Sequence, residues 1–242
     1  MNSAPGTGTP PGGAIQDFFA SILADLREWS GGVTALFEAS ASAPTRRVVD
    51  DAVQPLALGL LGESTLPLVG GGFVAARDAL ADATWHMAWW QGATRERLLL
   101  MAMESAGETY SRREWFTVPM ESGRGHITGP YVDFLCTDEY TVTFTVPVES
   151  GGRRVGIAGA DILVESLEDL LMERILAIGS KAALVNRSGR VILSPDPQLA
   201  AGLLLAPGWQ DAVDGWLAVD GAGSENMNVI RCGDLPLAVV SP

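Results

Sequence analysis

Apolar residues recur along this chain with two different rhythms. Between positions 15 and 36 they fall at alternating steps of four and three: Ile15, Phe19, Ile22, Leu26, Trp29, Val33 and Leu36. That spacing puts them on one stripe of a helix, a heptad seam. Gly31-Gly32 interrupts the seam and costs helical stability. Such a stripe either packs on the helix's own domain or pairs with a second copy. A second helix is expected from near Pro44 through Val48, Val49, Ala52, Leu56 and Leu60. Pro44 suits a first turn, and Pro55 predicts a kink.

After Gly62 the rhythm changes. Gly70-Gly71-Gly72 precedes Phe73-Val74-Ala75-Ala76, and aromatic or aliphatic runs follow at 85–90 and 97–103. Bounded by Gly and Asp, these read as strands. Tyr110 to Met120 is open between a short helix and a loop, with Pro119 expected to end any helix there. His126 to Val132 reads as a strand. Tyr140 to Val148 alternates Thr with Val and Phe, Gly151-Gly152 supplies a tight turn, and Arg154 to Ile162 returns. These two strands are expected to pair antiparallel at the centre of a sheet. An amphipathic helix opens at Ser166 with the stripe Leu167, Leu170, Leu171, Ile175 and Ile178. Strands follow at 182–186 and 191–194, then a helical patch near 209–217, then a last strand at 228–231 or 235–240. Helices first and a largely antiparallel sheet afterwards predict an α+β fold. The expected division is a tail over 1–13, a helical region over 14–62 and a ligand-binding domain over 63–242.

Composition narrows the function. The 242 residues are 47% hydrophobic, enough for a substantial core. The net charge is −13, and Lys181 is the one base that is not Arg. An acidic chain argues against nonspecific nucleic-acid or anionic-membrane binding. Two Cys and two His do not form a metal-ligand spacing, so no metal or other cofactor is expected. No apolar stretch reaches bilayer length, and MNSAPGTGTPPGG does not read as a signal peptide, so a cytoplasmic location is expected. An enzyme built on Cys136 with His126 as base is not expected. "LCTDEY" is an acidic setting that raises a thiol pKa, and no oxyanion-hole motif accompanies it.

The middle of the chain resembles a Cache domain, the PAS-like sensor fold of bacterial receptors. The resemblance rests on an ordered set: "REWF" at 113–116, "GPYVD" at 129–133, "YTVTFTVPVESGGRRVGIAGADI" at 140–162, "SLEDLL", and "AALVNRSGRVILSPDP". It is nearest to single-module Cache proteins of actinobacterial type. The resemblance implies N-terminal helices, often at a homodimer interface, followed by a central antiparallel sheet with flanking helices. It also implies a small ligand between the sheet and its loops. The membrane helices and output module usual in the family are not visible here.

In amino-acid-binding Cache domains an Arg-x-Trp-aromatic segment, a later Tyr and an Asp ending the G-x-x-G-x-D strand hold the ligand. By that resemblance Arg113, Trp115, Phe116, Tyr131, Asp133 and Asp161 are the candidate ligand-binding residues. The early Tyr of the pattern falls at Glu108, with Tyr110 nearby, and Phe116 stands where a second Tyr is usual. Arg presents a planar fork to a carboxylate, Asp161 would accept from an ammonium group, and the aromatics would exclude water. Structural roles compete. Arg113 could pair with Asp161 or Asp133, the aromatics could be core, Tyr131 and Asp133 could cap the strand, and Asp161 could cap the following helix. The expected function is therefore a sensory domain binding an amino acid or other small carboxylate. The alternative is a non-catalytic dimerisation module with a vestigial pocket.

Overall fold

The computed structural model describes residues 11–63, 66–98, 103–132, 139–205 and 228–241. Helix α1 (Pro11–Ala39) opens the chain, beginning inside the expected tail with a proline at its first residue. The helix α2 (Arg46–Glu63) follows and accommodates Pro55. Strands β1 (Leu68–Ala75), β2 (Met87–Gln91) and β3 (Glu96–Arg97) precede α3 (Met103–Tyr110) and α4 (Glu114–Ser122). Then come β4 (His126–Val132), β5 (Tyr140–Ser150), β6 (Arg153–Leu163), α5 (Val164–Ile178), β7 (Ala183–Asn186), β8 (Val191–Leu193), β9 (Asn228–Arg231) and β10 (Leu237–Ser241). The α+β expectation is met. Both alternatives for the last strand exist, as β9 and β10, which pair with each other. The strand expected at 97–103 covers only Arg97 before the undescribed residues 99–102, and α3 begins at Met103. Helix α4 runs past Pro119 to Ser122 and stops at Gly123, whose φ is 69° and whose N–H reaches the Pro119 carbonyl. The patch at 209–217 lies outside the described residues.

The chain divides into two compact units, Ser21–Ser166 and a second of Met1–Ala20 with Leu167–Pro242. The expected boundary between residues 62 and 63 falls inside the first. In that unit six strands run in the order β3-β2-β1-β6-β5-β4, every neighbouring pair antiparallel. The β5–β6 hairpin turns at Gly151 and Gly152, with φ of 57° and 74°, as a two-residue turn with both φ positive requires. One face of this sheet is apolar: Phe73, Val142, Phe144, Val146, Ala158, Ala160 and Ile162 are buried. The helices cover it, with Phe37 of α1 meeting Phe73 at 5.8 Å between ring centroids. Leu60 of α2 lies 3.1 Å from where a Cβ on Gly71 would sit.

Most of the heptad seam is buried within the chain, while Trp29 and Leu36 are half-buried. Ile15, Phe19, Ile22, Leu26 and Val33 are buried in one protomer, while Asp25, Arg27, Glu28 and Glu38 are exposed. Gly32 sits where α2 approaches, since a Cβ there would come 2.9 Å from Leu56 Cδ1. The glycine that costs helix propensity makes room for the neighbouring helix.

In the other unit four strands run β8-β7-β10-β9. Their core is aliphatic, with Ala183, Val185, Val191, Ala238 and Val240 in one cluster. The β7–β8 turn is set by Asn186, whose side-chain oxygen accepts the N–H groups of Ser188 and Arg190. Among the described residues no helix is long and apolar enough to cross a membrane, and no cluster of His, Cys, Asp or Glu could hold a metal ion.

Candidate functional site

The second face of the six-stranded sheet is polar, yet it is also buried. Side chains alternate across a strand, so Thr141, Thr143 and Thr145 of β5 point opposite to Val142, Phe144 and Val146. All six are buried. A strand alternating Thr with apolar residues ordinarily has one wet face; here both faces are covered.

Register turns this face into two rows. One runs Gln91–Gly70–Asp161–Thr143–Thr128 across β2, β1, β6, β5 and β4. The next runs Trp89–Gly72–Gly159–Thr145–His126 across the same strands. In the first row the Thr143 hydroxyl donates to Asp161 Oδ1 at 2.6 Å. The Tyr131 hydroxyl lies 2.6 Å from Thr143 Oγ1. Tyr131 reaches this row because β4 carries a bulge between Thr128 and Tyr131, three residues on β4 facing two on β5. A bulge turns the following side chain to the other face, and so Tyr131 joins Thr128. Gly129 makes it possible. Its φ is 127°, and a Cβ there would lie 2.6 Å from the Thr141 carbonyl oxygen.

Asp161 is only 6% exposed. It lies within β6, and the residue preceding α5 is Leu163, so capping that helix is not its role. It sits within the sheet, with Thr143 on one neighbouring strand and Gly70, over which the Trp89 indole nitrogen lies, on the other.

Helix α4 covers one end of this face. Glu114 Oε1 lies 2.8 Å from His126 Nε2, which ties the start of α4 to the end of the second row. Phe116 is buried in a cluster with Val74, Met87, Trp89, Tyr110 and Ile157, and Trp115 packs against it. Trp115 is stacked on Tyr110 at 6.1 Å and 27°. Burial pushes the Tyr110 phenol above its ordinary range, an effect the His86 backbone partly opposes.

The candidates therefore sort by place. Tyr131 and Asp161 are joined through Thr143. Trp115 and Phe116 are in the aromatic cluster that contains Trp89. Arg113 stands at the N-cap position of α4, exposed, beside the clamped Glu114, and its side chain makes no hydrogen bond or ion pair among the described residues. It does not pair with Asp161. Asp133, like Cys136, lies outside the described residues. Sequence reasoning missed Thr143, Thr145, Trp89 and Gln91. The signals were present: threonine at every second position of β5, and three consecutive glycines in β1.

A different cluster lies on the α2 side. Asp50 receives His86 Nε2 at 2.8 Å and Arg97 at 2.7 Å. His86 is thus a buried histidine hydrogen-bonded to the carboxylate of the Arg97–Asp50 ion pair, beside a cleft of about 570 Å³ that Arg46, Asp82 and Trp90 also line.

Residues 93–169 match the family model described as methyl-accepting chemotaxis protein-like, first PDC sensor domain. Many solved structures share the fold, and three illustrate it. The ligand-binding domain of the Pseudomonas fluorescens chemoreceptor CtaA, in complex with L-valine, is 16% identical with a TM-score of 0.61, over 97% of this chain and 92% of that one. The ligand-binding domain of a Pseudomonas aeruginosa amino-acid chemoreceptor, in complex with GABA, is 17% identical with a TM-score of 0.57, over 97% and 96%. The extracellular domain of a putative histidine kinase is 16% identical with a TM-score of 0.65, over 95% and 88%.

Proposed function

We propose that this chain, which has the Cache/PDC sensor fold, is a sensory domain that binds a small amino-acid-like ligand on the polar face of its six-stranded sheet. The observation that carries the reading is the buried Asp161–Thr143–Tyr131 chain, a carboxylate oriented inside the sheet where an ammonium group would find an acceptor. Two neighbours in the fold are complexes with L-valine and GABA, both small ammonium carboxylates. Trp115 and Phe116 would form the dry wall of the site. Arg113, one residue before the clamped start of α4, would meet the ligand carboxylate as a bidentate donor. Asp133 is carried forward as a further candidate on the strength of its place in the Pro-Tyr-x-Asp pattern alone.

The reading needs no catalytic step. A buried carboxylate held by a hydroxyl relay orients a ligand, and a small-molecule sensor requires only that the bound state favour one arrangement of the domain. Five of the seven seam residues of α1 are buried within one chain, which weighs against the rival dimerisation module. A homodimer through α1 would have to use the charged outer face that carries Asp25, Glu28 and Glu38; light scattering on the full chain decides it. The similar histidine-kinase domain is extracellular, so an exported location competes with the cytoplasmic expectation, and fractionation of producing cells separates them.

A thermal-shift screen with L-amino acids, small carboxylates, amines and purines tests the function. A ligand at a hundred times its Kd stabilises by about 2.7 kcal/mol, a rise of several degrees for a chain of this size. The expected result is a hit among the amino acids that Asp161→Ala abolishes. Hits confined to purines, or an amino-acid hit untouched by Asp161→Ala, would overturn it.

A further inference from the structure

Helix α4 is fastened at its two ends by different chemistry. At its C-terminal end Arg154 Nη1 of β6 donates to the carbonyl of Met120 at 2.7 Å and to that of Glu121 at 3.2 Å, and the same guanidinium is held by Glu149. The Gly123 N–H closes that end on the Pro119 carbonyl. Among the described residues the N-terminal end is tied to the sheet by one side-chain contact, Glu114 Oε1 to His126 Nε2 at 2.8 Å. Arg113, at the N-cap, gives its helix no side-chain cap, while its carbonyl accepts the N–H groups of Phe116 and Thr117.

The two partners of that contact are unequal. His126 is fixed: it pairs in register with Thr145 of β5, and its side chain is 11% exposed. Glu114 is 56% exposed. A carboxylate only accepts, so the imidazole donates from Nε2. An acid in the first turn of a helix is already favoured by the helix dipole and by water. Holding this one against a buried ring twelve residues on costs it side-chain freedom. We propose that His126 and Glu114 are positioning residues, which set the rotation of the first turn of α4 over the polar face and thereby aim the Arg113 guanidinium at the α-carboxylate of the ligand. Glu114 follows Arg113 directly in the chain. The burial of Phe116 and the stacking of Trp115 on Tyr110 fix the depth of the helix, and the directional bond fixes its azimuth. A bidentate contact tolerates little error in the placing of its donor. The inference rests on the proposed amino-acid site and adds the residues that align one end of it.

Titration calorimetry on the full chain tests it with amino acids paired to amines that lack only the α-carboxylate. The pairs are L-valine with isobutylamine, L-leucine with isoamylamine, and any other L-amino acid found in the thermal screen with its own decarboxylated amine. The ratio of the two affinities isolates what the carboxylate contributes, and a general loosening of the fold moves both together. The wild-type ratio should be about tenfold or more, and Arg113→Ala should bring it to about threefold or less. His126→Phe keeps a ring and removes the donor, and should lower the ratio nearly as far. His126→Gln keeps an N–H donor and should restore most of it. Glu114→Ala removes the acceptor and should act as His126→Phe does, serving as the second variant if the latter melts early. In the double variant of Arg113→Ala and His126→Phe the ratio should fall no further than in Arg113→Ala alone, because residues that act through one another are not additive. A ratio unchanged in both His126→Phe and Glu114→Ala, one as low in His126→Gln as in His126→Phe, or additive losses in the double variant would overturn the positioning role and leave the amino-acid site standing. So would amines that bind the wild type as well as their amino acids do. A thermal screen without any amino-acid hit would overturn both.

Discussion

The two sheets of this protein are built on opposite principles. In the four-stranded sheet Leu184, Ile192, Leu193, Leu237 and Val239 are as fully buried as Ala183, Val185 and Ala238 between them, and both faces are aliphatic. In the six-stranded sheet one face is apolar, while the other buries Thr128, Thr141, Thr143, Thr145 and Asp161. Thr128 Oγ1 and Thr145 Oγ1 have no partner among the described residues. A buried polar group without a partner costs about 1–3 kcal/mol, and a sheet selected for stability alone would not keep several on one face. The aliphatic sheet shows that this chain can bury strands without polar groups. The polar face is the one that the proposed function assigns to a ligand.

Substitutions that exchange the two characters put this contrast at risk, and the largest effect belongs to the aliphatic sheet. Leu184→Ala should lower stability by about 2–5 kcal/mol in a denaturant titration, because a fully buried side chain leaves a cavity. Val239→Thr, which places a hydroxyl among aliphatics, should cost about 1–3 kcal/mol by the same measurement. The reverse exchange, Thr145→Val, should be neutral or raise stability by up to about 1 kcal/mol, since it removes an unpartnered hydroxyl and keeps the shape. A loss of 2 kcal/mol or more (about the scale of a broken buried hydrogen bond) would show that the hydroxyl has an internal role.

A smaller effect is expected at Cys232. Burial pushes its thiol from an ordinary 9.0 up to about 12. The unfolded chain then releases this proton first, so the stability the thiol contributes is whole below pH 9 and is lost as pH rises toward 12. Iodoacetamide at pH 8 should accordingly modify Cys232 only on unfolding; rapid labelling of folded protein would refute its burial. The smallest effects lie in α1. Gly31→Ala meets nothing within 4 Å and should gain about 0.5–1 kcal/mol, whereas Gly32→Ala must displace Leu56 and should gain less. Equal gains at the two positions, read from their melting curves, would mean that α2 yields freely.

What the sequence revealed was local. The β5–β6 hairpin follows from alternation and two glycines a few residues apart, and the α1 stripe from its own spacing. The stripe could not say what it packs on, because self-association and burial in the same chain write the same pattern. Asp161 was visible as an anomaly in an apolar strand, but its neighbours come from positions 70, 91, 128 and 143, joined only by register. The threonines of β5 gave no warning either. Alternation tells which residues share a face, and only the covering elements decide whether that face is wet. Arg113 was legible as a residue type and not as a place, since its position depends on where α4 begins and on the Glu114–His126 contact.

The indole of Trp89 also gives the molecule an optical consequence. Excited indole is sensitive to whether its N–H is bonded and to the polarity along its ring. Here that N–H is buried and has no partner among the described residues, with the ring lying over glycines. Trp89 Nε1 and Asp161 Oδ2 flank the same glycine, so the chain carries a fluorophore of its own close to the candidate carboxylate, and a ligand held by Asp161 would be expected to change its emission.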